Sequence, residues 1–593
     1  MLRVQRALET LQHRGPDSTG YQLFSGADGV DTGLLHTRLR IIDLDVRSNQ
    51  PMGIDGNWLV FNGEIYNYRE VRDELLLEGV KFSTHSDTEV LLQGILRRGW
   101  SILDQLEGMW AFAFYQEDTG VLTLCRDRFG EKPLWIRRVE DGVSFASEVP
   151  VLEALSGVPN TPDLDHLRQF LVLGYKSLYK GQSTFIAGVT QVPPGVLMRF
   201  DPSGDVSTTR YWTPPLNVQE GMSFEGAVSH TRDLLLRSVE LRLRADVPLA
   251  FSLSGGVDSV ALASLAATDL GADVHGFTIM NTDPRYEERT LVEEAVRMLG
   301  IEHTWVPLST GNFLERLRGL VAARGEPLLT LSSYVQALLM EQIGSCGYKV
   351  VVGGVGADEL FTGYYDHHLL YLASVDPATR SEALFWWEKR IRSTVRNPFL
   401  QDPNLFIDDP GFRDHITLGA NTFNSALLEP IALDFDETHY HDALIRNRML
   451  NELFHEAVPV LVHEEDLNAM HYSLENRSPF LDRDLMEFAY SIPSHLLIRH
   501  GYTKAVLREA VRGTAPDAVL DSPRKVGFNV PIGDLLPLED PSVRAAILED
   551  SAIWDIVDRD VIAARLGGDQ STNSHSKFLF SLVSAKAFLD SLT

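Results

Sequence analysis

The stretch Phe251-Ser252-Leu253-Ser254-Gly255-Gly256-Val257-Asp258-Ser259 decides how this chain is read. Pro248 to Leu253 form an apolar strand pattern, and Val260, Leu262, Leu265 and Ala266 supply a helical stripe directly behind it. The glycines therefore lie in a strand-to-helix turn. Gly255 and Gly256 can adopt positive φ and let backbone N–H groups approach a ligand, while the helix N-terminus adds partial positive charge. Such a turn grips phosphate, and Asp258 is placed to hold Mg2+. It is not a Walker loop, which needs a longer glycine-rich span ending in Lys-Ser or Lys-Thr. A second segment repeats the arrangement: Lys349 to Val352 read as a short strand, followed by Gly353-Gly354-Val355-Gly356-Ala357-Asp358-Glu359-Leu360-Phe361-Thr362-Gly363-Tyr364. Glycines and a carboxylate again arrive at a strand's carboxyl end, where open α/β sheets bind ligands. Asp258 and Asp358 can thus share one magnesium.

The first loop resembles the pyrophosphate loop of ATP pyrophosphatases, which split ATP into AMP and pyrophosphate. With Glu475-Asn476-Arg477-Ser478-Pro479-Phe480-Leu481-Asp482 and Lys504-Ala505-Val506-Leu507-Arg508, the two loops resemble the synthetase domain of glutamine-dependent asparagine synthetases. The front of the chain is similar to that family's glutaminase domain. The tracts that carry this likeness are His13-Arg14-Gly15-Pro16-Asp17, Arg38 to Asp43, Gln50-Pro51, Asn62-Gly63-Glu64-Ile65-Tyr66-Asn67, Ser86-Asp87-Thr88-Glu89 and Arg126-Asp127-Arg128-Phe129-Gly130. Any one of them could be a loop of turn residues; in family order they span nearly the whole chain. The resemblance implies a two-domain α/β and α+β protein. Residues 1–213 would be a class II amidotransferase domain, an N-terminal nucleophile-type layered α/β sandwich. Residues 214–593 would be a doubly wound ATP-pyrophosphatase domain with a helical C-terminal part.

Composition agrees. A chain of 593 residues exceeds a single core. With 82 acidic against 53 basic residues the net charge is −29, which argues against nucleic acid as a partner. A run of about 18 apolar residues is lacking, so a membrane span is not expected. The opening Met1-Leu2-Arg3-Val4-Gln5-Arg6 has no signal-peptide character, which points to the cytoplasm, and a homodimer is compatible with the reading. Two cysteines, Cys125 and Cys346, are too few for a disulfide framework or a zinc site and read as structural thiols.

Along the first 150 residues, strands are expected at Gly33–His36, Arg40–Leu44, Trp58–Asn62, Trp110–Tyr115, Val121–Arg126 and Leu134–Arg138. Helices are expected at Tyr68–Leu77 and Asp87–Arg98. Further strands are expected between Pro162 and Trp212, a linker from Pro214 to Met222, a helix over Ser223–Arg244, and mainly helix after Tyr364.

The family's glutaminases begin with a cysteine whose own α-amine serves as base. None stands there in this sequence. Val4, Ala7, Leu8 and Leu11 lie at helical spacing directly before His13, so the sequence is expected to open inside the first helix, with the preceding strand and its cysteine upstream. By resemblance, Arg38 would pair with the glutamine carboxylate, Glu64 and Asp87 would take its ammonium, and Asn62 and Gly63 would line the oxyanion site. Without that cysteine the chain would draw on free ammonia or another amine in place of glutamine.

The reaction the resemblance implies is adenylation of a small carboxylate by ATP, then attack of ammonia on the acyl-adenylate. Ser254, Gly255, Gly256 and Ser259 would donate to pyrophosphate, Asp258 and Asp358 would carry Mg2+, and Lys504 would stabilise developing negative charge. Adenine would lie near Ser252, Ile279, Gly353 and Gly354. Arg477, and Lys525 in Pro523-Arg524-Lys525-Val526-Gly527-Phe528, are further phosphate candidates. One position departs from the pattern. Asparagine synthetases carry an acidic residue where this chain has Val355, and that carboxylate is thought to help deprotonate the incoming amine. Glu475 and Glu359 are the alternative bases. Tyr364-Tyr365-Asp366-His367-His368 adds polar and aromatic groups for a bulkier acceptor, or simply starts a helix. Aspartate is thus one acceptor reading, and a sugar acid or secondary-metabolite intermediate another. An inactive regulatory or scaffold relative is a third reading, disfavoured by the intact Ser254, Asp258, Asp358 and Lys504.

Overall fold

The computed structural model describes residues 2–25, 31–140, 142–281, 288–523, 531–567 and 573–593. Its N-terminal half is strand-rich. Strands β1 (Ser18–Ser25) and β2 (Asp31–Arg38) pair with each other. Strands β3 (Met52–Ile54), β4 (Asn57–Ile65), β5 (Gly108–Gln116), β6 (Val121–Arg126), β7 (Trp135–Val139), β8 (Gly142–Ala146), β9 (Val189–Gln191), β10 (Val196–Phe200) and β11 (Val206–Arg210) complete this half. They form an antiparallel sheet of order β11-β10-β6-β5-β4-β3 and a smaller one of order β8-β7-β9. The central strand β5 is apolar throughout because both its faces are covered. Trp110, Phe112 and Phe114 enter one core, and Ala111, Ala113 and Tyr115 enter another, as the two-residue pleat dictates.

The helices Tyr68–Leu77 and Asp87–Arg98 cover the first of these faces, with the limits the periodicity predicts. Ser86 starts the second by accepting the Glu89 N–H at 3.1 Å. One expectation fails here and another is met but incomplete. Arg40–Leu44 is irregular, because Arg38 takes the carbonyls of Ile42, Asp43 and Asp45 and Asp43 turns to φ 54°. The span Pro162–Trp212 holds, besides strands, a helix at Leu164–Leu173, capped by the Asp163 carboxylate and ended by Gly174 at φ 74°.

After an irregular stretch that includes Pro214 to Met222, the helix Phe224–Arg242 opens the second half. Strands β12 (Leu249–Ser252), β13 (His275–Met280), β14 (Glu302–Pro307), β15 (Val350–Val352) and β16 (Glu475–Arg477) form a parallel sheet of order β14-β13-β12-β15-β16. Strand order reverses at β12, so the loops after β12 and β15 open side by side, the place where doubly wound sheets bind ligands. Helices dominate after Tyr364, apart from β16. The halves share a core: Phe185 packs on Phe588 of the C-terminal helix Asn573–Ser591 with ring centroids 6.0 Å apart. Among the described residues, no helix is long and apolar enough to cross a membrane.

Candidate active site

The loop after β12 folds on itself. Ser254 N–H donates to Ser259 Oγ at 3.0 Å, Gly256 N–H to Ser254 Oγ at 3.2 Å, and Ser259 Oγ to the Ser254 carbonyl at 3.2 Å. The helix Val257–Ser264 then starts with Asp258 in its first turn. Its first N–H groups have no partner within the helix and face the loop mouth. The glycines do not use the positive φ open to them. Gly256 has φ −82°, and Gly255 is required by close packing, since a Cβ there would lie 3.0 Å from the Cβ atoms of Glu288 and Leu291.

The second loop meets the first. A Cβ on Gly354 would lie 3.1 Å from Asp258 Cβ. Lys504 closes the arrangement: its Nζ donates to both carboxylate oxygens of Asp258 at 2.7 Å and stands 2.6 Å from Asp358 Oδ1. Burial, which alone would lower the Lys504 pKa, is outweighed by the two carboxylates, so its pKa is raised and the ammonium stays charged. Lys504 itself is held at φ 56°, with its N–H on the Phe361 carbonyl at 3.1 Å and Thr362 Oγ1 at 3.2 Å. Gly363 lies flat on Asp358, where a Cβ would come within 1.5 Å of Oδ1.

Behind this turn stands His367. Its Nδ1 accepts the Gly363 N–H at 3.2 Å, which leaves Nε2–H to donate to Glu452 Oε2 at 2.7 Å. Glu452 also binds Lys176 and Arg448, each at 3.1 Å, and its carboxyl is held down at about 2: burial opposes this, but Lys176, Arg448 and His367 prevail. Asp366, His367 and Glu452 have the spacing of a metal-ligand set. Lys176 and Arg448 already supply the positive charge there, so the cluster reads as an ion-pair network. Beside it, Tyr364 donates to Glu359 Oε1 at 2.5 Å, and the Lys176 ammonium lies 5.0 Å from the Tyr364 ring centre. Burial and the charge of Asp358 raise the Glu359 carboxyl to about 7.

Ser252 and Ile279 stand towards the carboxyl ends of adjacent strands, and Gly353 is the first residue beyond β15. Arg477 lies apart from the phosphate loop. Its guanidinium donates to Glu475 at 2.9 Å and to the carbonyls of Arg242 and Arg244 at 2.8 Å, with Glu64 Oε1 at 3.7 Å. Its own carbonyl accepts the Gly353 N–H at 2.9 Å. Lys525 lies outside the described residues.

In the N-terminal half, Gly63 at φ 146° lets β4 approach β5, because a Cβ there would meet the Met109 carbonyl at 2.0 Å. Glu64 beside it is buried, and burial together with Asp87 and Glu475 pushes its carboxyl up. Asp87 is raised to about 6 by burial, against hydrogen bonds from the Ile65 and Thr88 N–H groups. Asn62 reaches Ser147 Oγ at 3.4 Å. Arg38 spends its terminal nitrogens on three carbonyls and Asn49 Oδ1. Cys125 is buried on β6 with its thiol pushed up by burial, whereas Cys346 is exposed at the end of the helix Leu331–Ser345, against the structural role expected for it.

Residues 2–212 match the family model described as a glutamine amidotransferase domain, and residues 230–590 match the asparagine synthase model. Asparagine synthetase [glutamine-hydrolyzing] 1 of Bacillus subtilis is 29% identical over 614 residues, covering 96% of this chain and 91% of that one. Asparagine synthetase [glutamine-hydrolyzing] 3 of the same organism is 28% identical over 538 residues, 87% of this chain and 82% of the relative. Amidase chyE of Penicillium rubens is 27% identical over 576 residues, 88% and 84% of the two chains.

Proposed function

Because the chain belongs to the asparagine synthase family and carries a glutamine amidotransferase domain ahead of it, we propose that this ligase adenylates a small carboxylate, releases pyrophosphate, and amidates the acyl-adenylate with ammonia. Glutamine is the ammonia source when the full amidotransferase site is assembled. The observation that carries the reading is the meeting of Asp258, Asp358 and Lys504 across two glycine loops. The boundary between residues 213 and 214 is supported by the irregular stretch in which it falls, and a cytoplasmic location suits an enzyme supplied with ATP and glutamine.

Each residue has a part to play. The Ser254–Ser259 loop and the helix start behind it bind pyrophosphate oxygens through N–H and hydroxyl donors. Lys504 neutralises charge on the phosphate that departs, where a fixed ammonium in a dry site is most effective. Asp258 and Asp358 are hard oxygen donors that already face a single cation, a donor set that fits Mg2+. Bound there, Mg2+ would offset phosphate charge. Ser252, Ile279, Gly353 and Gly354 border the adenosine. Glu64 and Asp87 receive the glutamine ammonium, and Arg38 its carboxylate.

One observation favours an acceptor other than aspartate. Val355 is buried in the apolar core with Phe480 and Leu481, so its side chain offers the incoming groups neither a charge nor a hydrogen bond. A screen of pyrophosphate release across candidate carboxylates, with ATP, Mg2+ and ammonia, tests both points. Stoichiometric ADP and orthophosphate would remove the reading. Rapid turnover of aspartate would remove the shift in acceptor.

A further inference from the structure

Glu465 stands on the helix Val458–His471 between two acids tied to cations. Glu464 binds Arg324 at 2.8 Å, and Asp466 binds Arg14 at 2.8 Å and Lys132 at 3.2 Å. Among the described residues, Glu465 has no such partner; the groups that bond it are the neutral amides of Gln336 and Asn476. Its carboxylate lies over Gly353, with Oε2 3.6 Å and Oε1 3.9 Å from the point a Cβ would occupy on that glycine. The adjoining Gly354 touches Asp258 and Ser259. The two glycines therefore have the phosphate loop on one neighbour's flank and, among the described residues, a carboxylate without a counter-charge on the other's.

Amide formation needs a proton acceptor at such a place. A neutral amine becomes cationic as it bonds to the acyl carbon, and it must shed a proton before the neutral amide can form. The other carboxylates of the site are committed: Asp258 and Asp358 to Lys504, Glu359 to Tyr364, Glu475 to Arg477. Val355 has only methyl groups to offer.

Resting on the reaction proposed above, we infer that Glu465 is the general base of amide formation. As the nitrogen lone pair forms the C–N bond, an N–H proton passes to a Glu465 carboxylate oxygen. AMP leaves with the electron pair of the broken C–O bond, and Glu465 later returns the proton to solvent, which its partial exposure permits. Burial raises its carboxyl to about 7 against the two amide hydrogen bonds. A base of that strength takes the proton readily and gives it back.

The experiment compares native protein with Glu465→Gln, using whichever carboxylate supports pyrophosphate release. Adenylation is read as carboxylate-dependent ATP–pyrophosphate exchange without amine, and synthesis as amide formed from ammonium chloride. Exchange should persist in the variant while synthesis falls about 10²- to 10⁴-fold, and the inflection near 7 in the pH profile of synthesis should vanish. Glu465→Asp should recover part of the rate. The inference is overturned if Glu465→Gln makes amide at the native rate, or if it loses exchange and synthesis equally, which would mark a nucleotide or structural contact. Absence of any carboxylate-dependent exchange in native protein would remove the proposed reaction first, and the inference with it.

Discussion

Asp258 and Asp358, carried by separate loops, hold the same ammonium: Lys504 Nζ is 2.7 Å from the first and 2.6 Å from the second. Replacing either aspartate with Asn should lower pyrophosphate release by about 10²-fold or more, the effect of losing several kcal/mol of charge stabilisation. The fold should survive, because the remaining carboxylate still pairs with Lys504. Lys504→Met differs in leaving two facing carboxylates without a cation. Each keeps about a fifth of its surface exposed, so the expected loss of stability is about 1–3 kcal/mol, read from a thermal melt.

The turn after Asp358 should tolerate little change. Gly363→Ala would push a methyl into Oδ1 and should cost about 10²-fold in turnover, as misplacing a reacting group by an ångström does. His367→Gln can still accept from Gly363 N–H and donate to Glu452, and should keep most activity. His367→Leu should not. A leucine variant with native kcat would show that this tie positions nothing.

Glutamine binding should strengthen as pH rises through about 6, where Asp87 ionises. The sign follows from the raised pKa: below it the carboxyl is neutral and has no charge for an ammonium, and above it the pair forms. The same shift acts on folding. Between the ordinary aspartate pKa and about 6 the native state holds a proton that the unfolded chain has released, so this residue makes stability fall with rising pH in that window. Titration calorimetry with glutamine should show the dependence in native protein, and Asp87→Asn should remove its share, leaving the dependence set by Glu64.

Thiol labelling without denaturant should modify Cys346 and spare Cys125. The first is exposed; the second is enclosed between β5 and β10 and its thiol is held protonated by burial. Modification of both in folded protein would contradict the packing of β6.

Much of this was legible in the sequence, and the failures have physical causes. The limits of Tyr68–Leu77 and Asp87–Arg98 follow from periodicity and, for the second, a serine cap, which are local signals. The two glycine loops are legible for the same reason. The helix Leu164–Leu173 also carries a local signal, with Asp163 and Gly174 as caps and Leu164, Leu167, Phe170 and Leu171 on one stripe, but the strand-rich neighbourhood hides it. Strand β16 is three residues long and reads Glu-Asn-Arg, with its charged side chains paired to each other, so no alternation marks it. His367 and Glu452, or Glu465 and Gly353, are brought together by the chain's long-range path, and neither residue of either pair announces the other.

The charges that cross between the halves have a consequence for heredity and engineering. Arg14 and Lys132 meet Asp466, Arg242 meets Glu107, and Lys176 meets Glu452, nearly all of them out of contact with water. A cut at the linker would strand these ions in each fragment, and removing one partner of a buried pair costs about 3–5 kcal/mol. Grafting a relative's amidotransferase onto this synthetase would fail in the same way unless that relative's own partner residues across the seam travelled with it. The seam thus works as a compatibility code, under which the two halves are inherited together or changed together.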